Sequence, residues 1–450
     1  MVGLVQAQAL ESEVRRVGAE LADAFPSAAR HPLRALDDKA LALSSEDHAL
    51  RAALFRFVDV APACRSFDDL AHHLAGFLEQ LPERPPPLEA ATRMAHTRAG
   101  RTALGAAAAA GVKHMAHRFI VGETPRAVVG EGRGLWHRGV AMSVDLLGEA
   151  TLTAAEADRY AERCDEALAV LAEAHRDWPR RPVLERDSFG PLPRANLSVK
   201  VSALTPLLRA DAPQRGQRDA APRLRALLRR ARGLDAHLHI DMESMDTRDA
   251  VLDLVLEVLA DDEFVGGPSA GVVLQAYLRD SPAQLASILA WAEAHPRARP
   301  LVVRLVKGAY WDHEVVEAHQ HGWRPPVFED KAHCDRNFEA LTGKLIDARP
   351  RVRVAVASHN LRSVAHAIAY NRLHGGHDAD VEYQVLRGLG DELQDALAAR
   401  GLRVRTYCPV GDLVAGMAYL VRRLLENTAN ESFLHEQVRG APLEQLLAAP

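Results

Sequence analysis

Cysteine is scarce: Cys64, Cys164, Cys334 and Cys408 are the only four in 450 residues, scattered and without a CxxC spacing. That excludes a disulfide scaffold, argues against a structural zinc or other metal site, and suits a reducing compartment. No apolar run approaches the length of a membrane span, and the start, MVGLVQAQALESEVRR, lacks the basic and apolar regions of a signal peptide. A soluble cytoplasmic chain is expected, touching the inner face of a membrane at most peripherally. A surplus of positive charge is also missing. The formal net charge of −5 gives no reason to expect a nucleic-acid binder. Lysine is the rarest cation, with six among 55 basic residues (39, 113, 200, 307, 331 and 344). Where arginine serves most cationic needs, a lysine is a better candidate for a place that requires a compact ammonium group. Lys200 and Lys307 both stand at the ends of apolar runs.

The 48% hydrophobic content can bury a large core. Residues 1–115 read as a helical arm: ESEVRRVGAELADAF, HALRAALFRFV, SFDDLAHHLAGFLEQL and an alanine-rich stretch from Thr102, interrupted between Pro82 and Pro87. In SFDDLAHHLAGFLEQL the apolar face is Phe67, Leu70, Leu74, Phe77 and Leu78. From Gly139 the texture changes. Eight short apolar runs (139–150, 196–204, 236–244, 271–280, 301–310, 352–360, 381–388 and 402–411) each precede a helical stretch. Eight strand-helix units predict an α/β fold, a (β/α)8 TIM-like barrel over 116–436, with a tail at 437–450. The polar segment from Thr205 to Arg223 reads as an insertion loop.

The central stretch is LVVRLVKGAYWDHE, Leu301 to Glu314. Its charges, Arg304 and Lys307, come late in a buried strand, and Gly308 and Ala309 leave room for a ligand near the backbone. Other runs end on Asp145 and Glu149, Lys200, Asp241 and Glu243, Gln275 and Arg279, His359 and Asn360, Gln384 and Arg387, and Tyr407. Such a ring of polar ends at one mouth is the pattern of a binding site. After Gly411, Tyr419, Arg422, Arg423 and Glu426 share one stripe of a helix bracketed by apolar residues, and adjacent arginines suit forked recognition of a carboxylate or phosphate.

Together LVVRLVKGAYWD, YLVRRLLENTAN, NLSVKVSAL, HIDMES, LQAYLRDS, ASHN and YCPVG resemble the proline dehydrogenase family, most closely the corresponding half of the bifunctional proline utilization A proteins. The resemblance implies a distorted barrel carrying non-covalent FAD. It also implies oxidation of L-proline to 1-pyrroline-5-carboxylate, hydride passing from proline C5 to flavin N5 and electrons passing on to a membrane quinone. On that likeness the flavin would rest on Asp241, Met242, Gln275, Arg304, Val306, Lys307, Gly308, Ala309, Trp311, Ser358, His359, Asn360, Gln384 and Glu426. The substrate carboxylate would be held by Lys200, Arg422 and Arg423. Tyr310, Leu386, Tyr407 and Tyr419 would close over the ring. Asp241, Arg304 and Lys200 would be the catalytic set, and Tyr407 would select proline over hydroxyproline.

The sequence stops at Pro450 before an aldehyde dehydrogenase domain, so either a stand-alone enzyme or a piece of a longer bifunctional chain is expected, with a 1-pyrroline-5-carboxylate/glutamate semialdehyde dehydrogenase as pathway partner in proline catabolism to glutamate. Departures from the family pattern are Cys334, Cys408, Thr428 and the missing histidine of DLVAGMA. Three other readings remain: a Schiff-base aldolase using Lys200 or Lys307, a flavin dehydrogenase for another cyclic amino acid, and a silent regulatory barrel. An aldolase requires a lysine of depressed pKa.

Overall fold

The computed structural model describes residues 2–25, 48–148, 150–412, 416 and 441–450. They fall into two compact units. One comprises Met1–Pro26, Thr124–Pro409 and Pro442–Pro450, and the other Ser27–Glu123 and Val410–Ala441.

In the second unit, α2 (His48–Val60), α3 (Phe67–Glu79), α4 (Pro86–Met94) and α5 (Arg98–Phe119) pack on one another. The Ser66 hydroxyl caps α3 by accepting the Asp69 N–H at 3.1 Å, which satisfies one of the free amides of the first turn. Ala53, Leu78 and Leu81 form one apolar cluster, and Phe57, Leu70 and Val112 another. Phe67 departs from the sequence-predicted face and is exposed. Its backbone is the reason α5 carries Gly105, where a Cβ would fall 1.9 Å from the Phe67 carbonyl oxygen. Helix α4 begins within the proline-rich break, at Pro86, because proline is tolerated in a first helical turn.

The first unit is a closed barrel of eight parallel strands: β1 (Val140–Leu146), β4 (Asn196–Lys200), β5 (His237–Asp241), β6 (Ser269–Gln275), β7 (Leu301–Val306), β8 (Val352–Ala357), β9 (Val381–Leu386) and β10 (Val404–Val410). Seven lie inside the corresponding apolar runs, and β6 begins two residues ahead of the 271–280 run. The helices between them include α6 (Val128–His137), ahead of β1, and α7 (Ala154–His175), which opens with a Thr153–Glu156 capping box. A short turn, α8, spans Pro182–Glu185. Then come α9 (Pro213–Gly233), α10 (Met245–Leu259), α11 (Ser281–Ala294), α12 (Trp311–Gln320), α13 (Lys331–Asp347), α14 (Leu361–Leu373) and α15 (Asp391–Ala399). The expected insertion loop at 205–223 is helical from Pro213 onward. Gly216, Ala220 and Leu224 bury one face of α9, a periodicity hidden by the polar residues that cover the other.

Helix α1 (Val2–Asp23) belongs to the barrel unit and packs along α14, with Val14, Val17 and Leu21 buried. The sequence signal for this was slight, since an amphipathic helix does not state what it covers. A small hairpin, β2 (Arg186–Asp187) with β3 (Gly190–Pro191), was not foreseen.

The barrel interior is unusually polar. On β5, Leu238 and Ile240 face the helices, while His237, His239 and Asp241 alternate with them. His237 Nε2 lies 3.0 Å from His239 Nδ1, and its Nδ1 lies 2.8 Å from the Ser269 hydroxyl. Burial pulls His237 down to about 3, so the row is neutral at ordinary pH. Lower in the barrel, Arg353 forks onto Asp187 at 2.8 and 3.0 Å, and Arg403 reaches the same carboxylate at 3.3 Å. Arg405 forks onto Glu382 at 2.8 and 3.0 Å. The hairpin therefore closes the barrel with an acid that neutralises buried cations.

Candidate active site

The carboxyl ends of the strands bring the sequence-predicted charges together. Asp241, last in β5, accepts from Arg304 Nη1 at 2.5 Å and from the Tyr407 hydroxyl at 2.6 Å. Arg304 also donates to the Ser198 hydroxyl at 3.2 Å, and its guanidinium lies 5.4 Å from the centre of the Tyr407 ring. Asp241, Arg304 and Tyr407 thus form one buried triad drawn from three strands. Burial, with Asp145 and Asp241 close by, pushes the Tyr407 phenol well above its ordinary value, so it remains a hydrogen-bond donor.

Lys200 ends β4 beside Asp241 in register, but its direct partner is Asp145, at 2.5 Å. Burial alone would lower the lysine. The carboxylates of Asp145, Asp241 and Glu243 outweigh it and hold the ammonium above its usual pKa. Asp145 appeared in the sequence only as one strand-end acid among several. Its pairing follows from β1 lying next to β4 when the barrel closes, which no local pattern announces.

Gln275 ends β6 and donates through Nε2 to the Glu243 carbonyl at 2.9 Å. That bond fixes the amide orientation, and among the described residues the buried Gln275 Oε1 and Arg304 Nε have no hydrogen-bond partner. Met242 is buried just after β5, and Val306 closes β7 half-buried. Lys307 is ion-paired with Asp335, which also accepts from Lys331 Nζ at 2.8 Å. Asp335 was missed, though its i,i+4 spacing from Lys331 was readable. Gly308 has a φ of 137°, and a Cβ there would lie 2.4 Å from Tyr277 Cδ1. Gly308→Ala is therefore expected to cost about 1–3 kcal/mol through strain and clash. An unfolding free energy from urea titration within about 0.5 kcal/mol of the parent would show that the turn relaxes freely.

Other candidates spread around this mouth. Ala309 and Tyr310 lead into α12, and Trp311 is partly exposed with its indole N–H on the Phe328 carbonyl at 2.9 Å. The Ser358 hydroxyl accepts the Asn360 N–H at 3.1 Å, Asn360 caps α14, and His359 Nε2 accepts the Leu386 N–H at 2.9 Å. Gln384 donates to Glu382 at 2.6 Å, and Leu386 is the register partner of Tyr407. Tyr419, Arg422, Arg423 and Glu426 lie outside the described residues, as does Glu149.

The family profile described as proline dehydrogenase matches residues 128–436, and that of the proline utilization A N-terminal domain matches 11–119. The chain belongs to the proline dehydrogenase family. A bifunctional protein PutA of Salmonella typhimurium is 33% identical over 344 residues, 75% of this chain and 25% of that protein. Proline dehydrogenase 1 of Bacillus subtilis subsp. natto is 28% identical over 334 residues, 73% of this chain and 92% of that one. The crystal structure of proline utilization A from Bdellovibrio bacteriovorus, inactivated by N-propargylglycine, superposes with a TM-score of 0.88 at 32% identity, covering 98% of this chain and 44% of that one. The chain spans about a quarter of the length of the PutA relatives it matches. The proline dehydrogenase family generally uses FAD, and among the described residues no helix is long and apolar enough to cross a membrane.

Proposed function

We propose that this chain oxidises L-proline to 1-pyrroline-5-carboxylate with FAD and passes the electrons to a membrane quinone. The observation that carries the reading is the Asp241–Arg304–Tyr407 triad beside the Lys200–Asp145 pair at the barrel mouth. FAD suits the donor set: Gln275 Oε1 offers an acceptor to a ring N–H, and Arg304 a fixed cation to ring carbonyls. When bound, FAD would supply the two-electron oxidising chemistry, as acceptor of the hydride from proline C5.

The protein's own share is orientation and charge. Lys200, Arg422 and Arg423 fix the proline carboxylate, so the C5–H is presented repeatedly in one geometry. The same cations lower the proton affinity of the proline nitrogen, which favours the free amine. Asp241 holds Arg304 in place, and Arg304 stabilises negative charge developing across the cofactor ring. Met242, Val306, Lys307, Gly308, Ala309, Trp311, Ser358, His359, Asn360, Gln384 and Glu426 would complete the cofactor's surroundings. Tyr310, Leu386, Tyr407 and Tyr419 exclude water above the substrate. A 1-pyrroline-5-carboxylate/glutamate semialdehyde dehydrogenase would consume the product. We assign these roles to a barrel domain of 116–436, with 1–115 as a helical arm and 437–450 as a tail, although α1 and Pro442–Pro450 group with the barrel unit.

The raised pKa of Lys200 and the engagement of Lys307 with Asp335 weigh against a Schiff-base lysine, which must lose its proton easily. The test is an absorption spectrum of the purified chain followed by anaerobic L-proline. A flavin spectrum that bleaches on addition is expected. Protein that stays colourless after incubation with FAD would overturn the proposal. Tyr407→Ser should admit 4-hydroxyproline, measured as a rise in kcat/KM for that substrate; no gain would remove Tyr407 as the selectivity residue.

A further inference from the structure

Arg362 is the second residue of α14 and is buried. A cation there faces the positive end of the helix dipole, the unfavourable end for it. The structure surrounds it with acceptors from three other segments. Glu11 of α1 forks onto Nη1 and Nη2 at 3.0 and 2.9 Å, Glu339 of α13 accepts from Nε at 2.9 Å, and the Leu447 carbonyl accepts from Nη1 at 2.7 Å. Two carboxylates flank the guanidinium, Arg15 of α1 also donating to Glu11 Oε1 at 3.0 Å, and their charge-assisted bonds offset the unfavourable placement of the cation. Leu447 also packs where Gly18 of α1 leaves no side chain; a Cβ there would lie 2.4 Å from its Cδ2. Two residues before Arg362 is Asn360, whose side chain accepts the Ser363 N–H at 2.9 Å and whose own N–H reaches Ser358 at 3.1 Å. The clasp and the Ser358–Asn360 turn are thus the two halves of one helix start.

We infer that α1 and the 442–447 segment act as a clasp on Arg362 that positions the Ser358–His359–Asn360 turn for cofactor binding, with Glu11 and Arg362 as positioning residues. The inference rests on the proposal that this turn holds FAD. An isolated packing contact would need no buried charge, and an apolar side chain at 362 would serve it at lower desolvation cost. A fork of charge-assisted bonds instead fixes angle as well as distance.

The test compares Glu11→Ala, Glu11→Gln and Arg362→Lys with Glu13→Ala, which removes only an exposed pair with Arg16 on the same helix. Amide hydrogen exchange at 361–364 is followed in the full chain without added FAD, and FAD affinity by titration. Glu11→Ala should speed exchange there about tenfold and raise the Kd for FAD about tenfold, a shift of ~1.4 kcal/mol. Glu11→Gln should fall between it and the parent, and Glu13→Ala should change neither. Folded Glu11→Ala with parental exchange and parental Kd overturns the clasp, as does a lowered Tm without local change at 361–364. Should the parent itself not bind FAD, the functional proposal fails, and the exchange rates alone decide the clasp.

Discussion

Arg304→Lys is expected to lower kcat for L-proline by about 10²–10³-fold while leaving the chain folded. Arginine at this position makes bonds in two directions, to Asp241 at 2.5 Å and to Ser198 at 3.2 Å, and lies over the Tyr407 ring. Lysine retains the charge but concentrates it at one atom on a flexible stem, so it cannot reproduce that span. The loss should therefore appear in kcat, where charge stabilisation acts, and much less in KM, which reports the carboxylate grip of Lys200 and the paired arginines. Steady-state kinetics with L-proline decides it. A kcat within twofold of the parent would mean that the charge alone suffices and that the triad's geometry is incidental.

The largest effect on stability should come from the opposite end of the barrel. Asp187→Ala leaves Arg353 and Arg403 buried without their shared carboxylate, and breaking a buried pair in this way costs roughly 3–5 kcal/mol. Chemical denaturation should show that shift in the midpoint at an unchanged slope. A loss below about 1 kcal/mol would show that water or a neighbouring acid takes over the cations. The neighbouring carboxylate supplies a pH signature. Although burial opposes it, Arg405 and Arg403 hold Glu382 down to about 2, well under the ordinary glutamate value of 4.5. Its contribution is complete above that ordinary value and is lost as pH falls through about 2. Acid unfolding of the parent should therefore extend into this low range.

Local signals carried most of the architecture. Strands of a parallel barrel are buried on both faces, so they stand out as short apolar runs, and all eight could be read directly. Helix α7 opens with a Thr153–Glu156 capping box, a local signal the sequence also carries. The hairpin at 186–191 was not, because two-residue strands have no periodicity. Its importance lies in Asp187, an ordinary acid until the fold buries it against Arg353. The start of α9 was hidden by its own polar face.

At the site, sequence alone determined which side chains stand at the ends of strands, because strand end and turn glycine are local properties. It thereby selected Lys200, Asp241, Gln275, Arg304 and Tyr407 as candidates. Tertiary structure decided who pairs with whom. Asp241 meets Arg304 63 residues further on, and Lys200 meets Asp145 55 residues back, because barrel closure and strand stagger set those neighbours. It likewise decided that α1 covers α14 and that Glu11 reaches Arg362 across 351 residues. Periodicity encodes which face of an element is buried, whereas the identity of the group waiting there depends on the path of the whole chain.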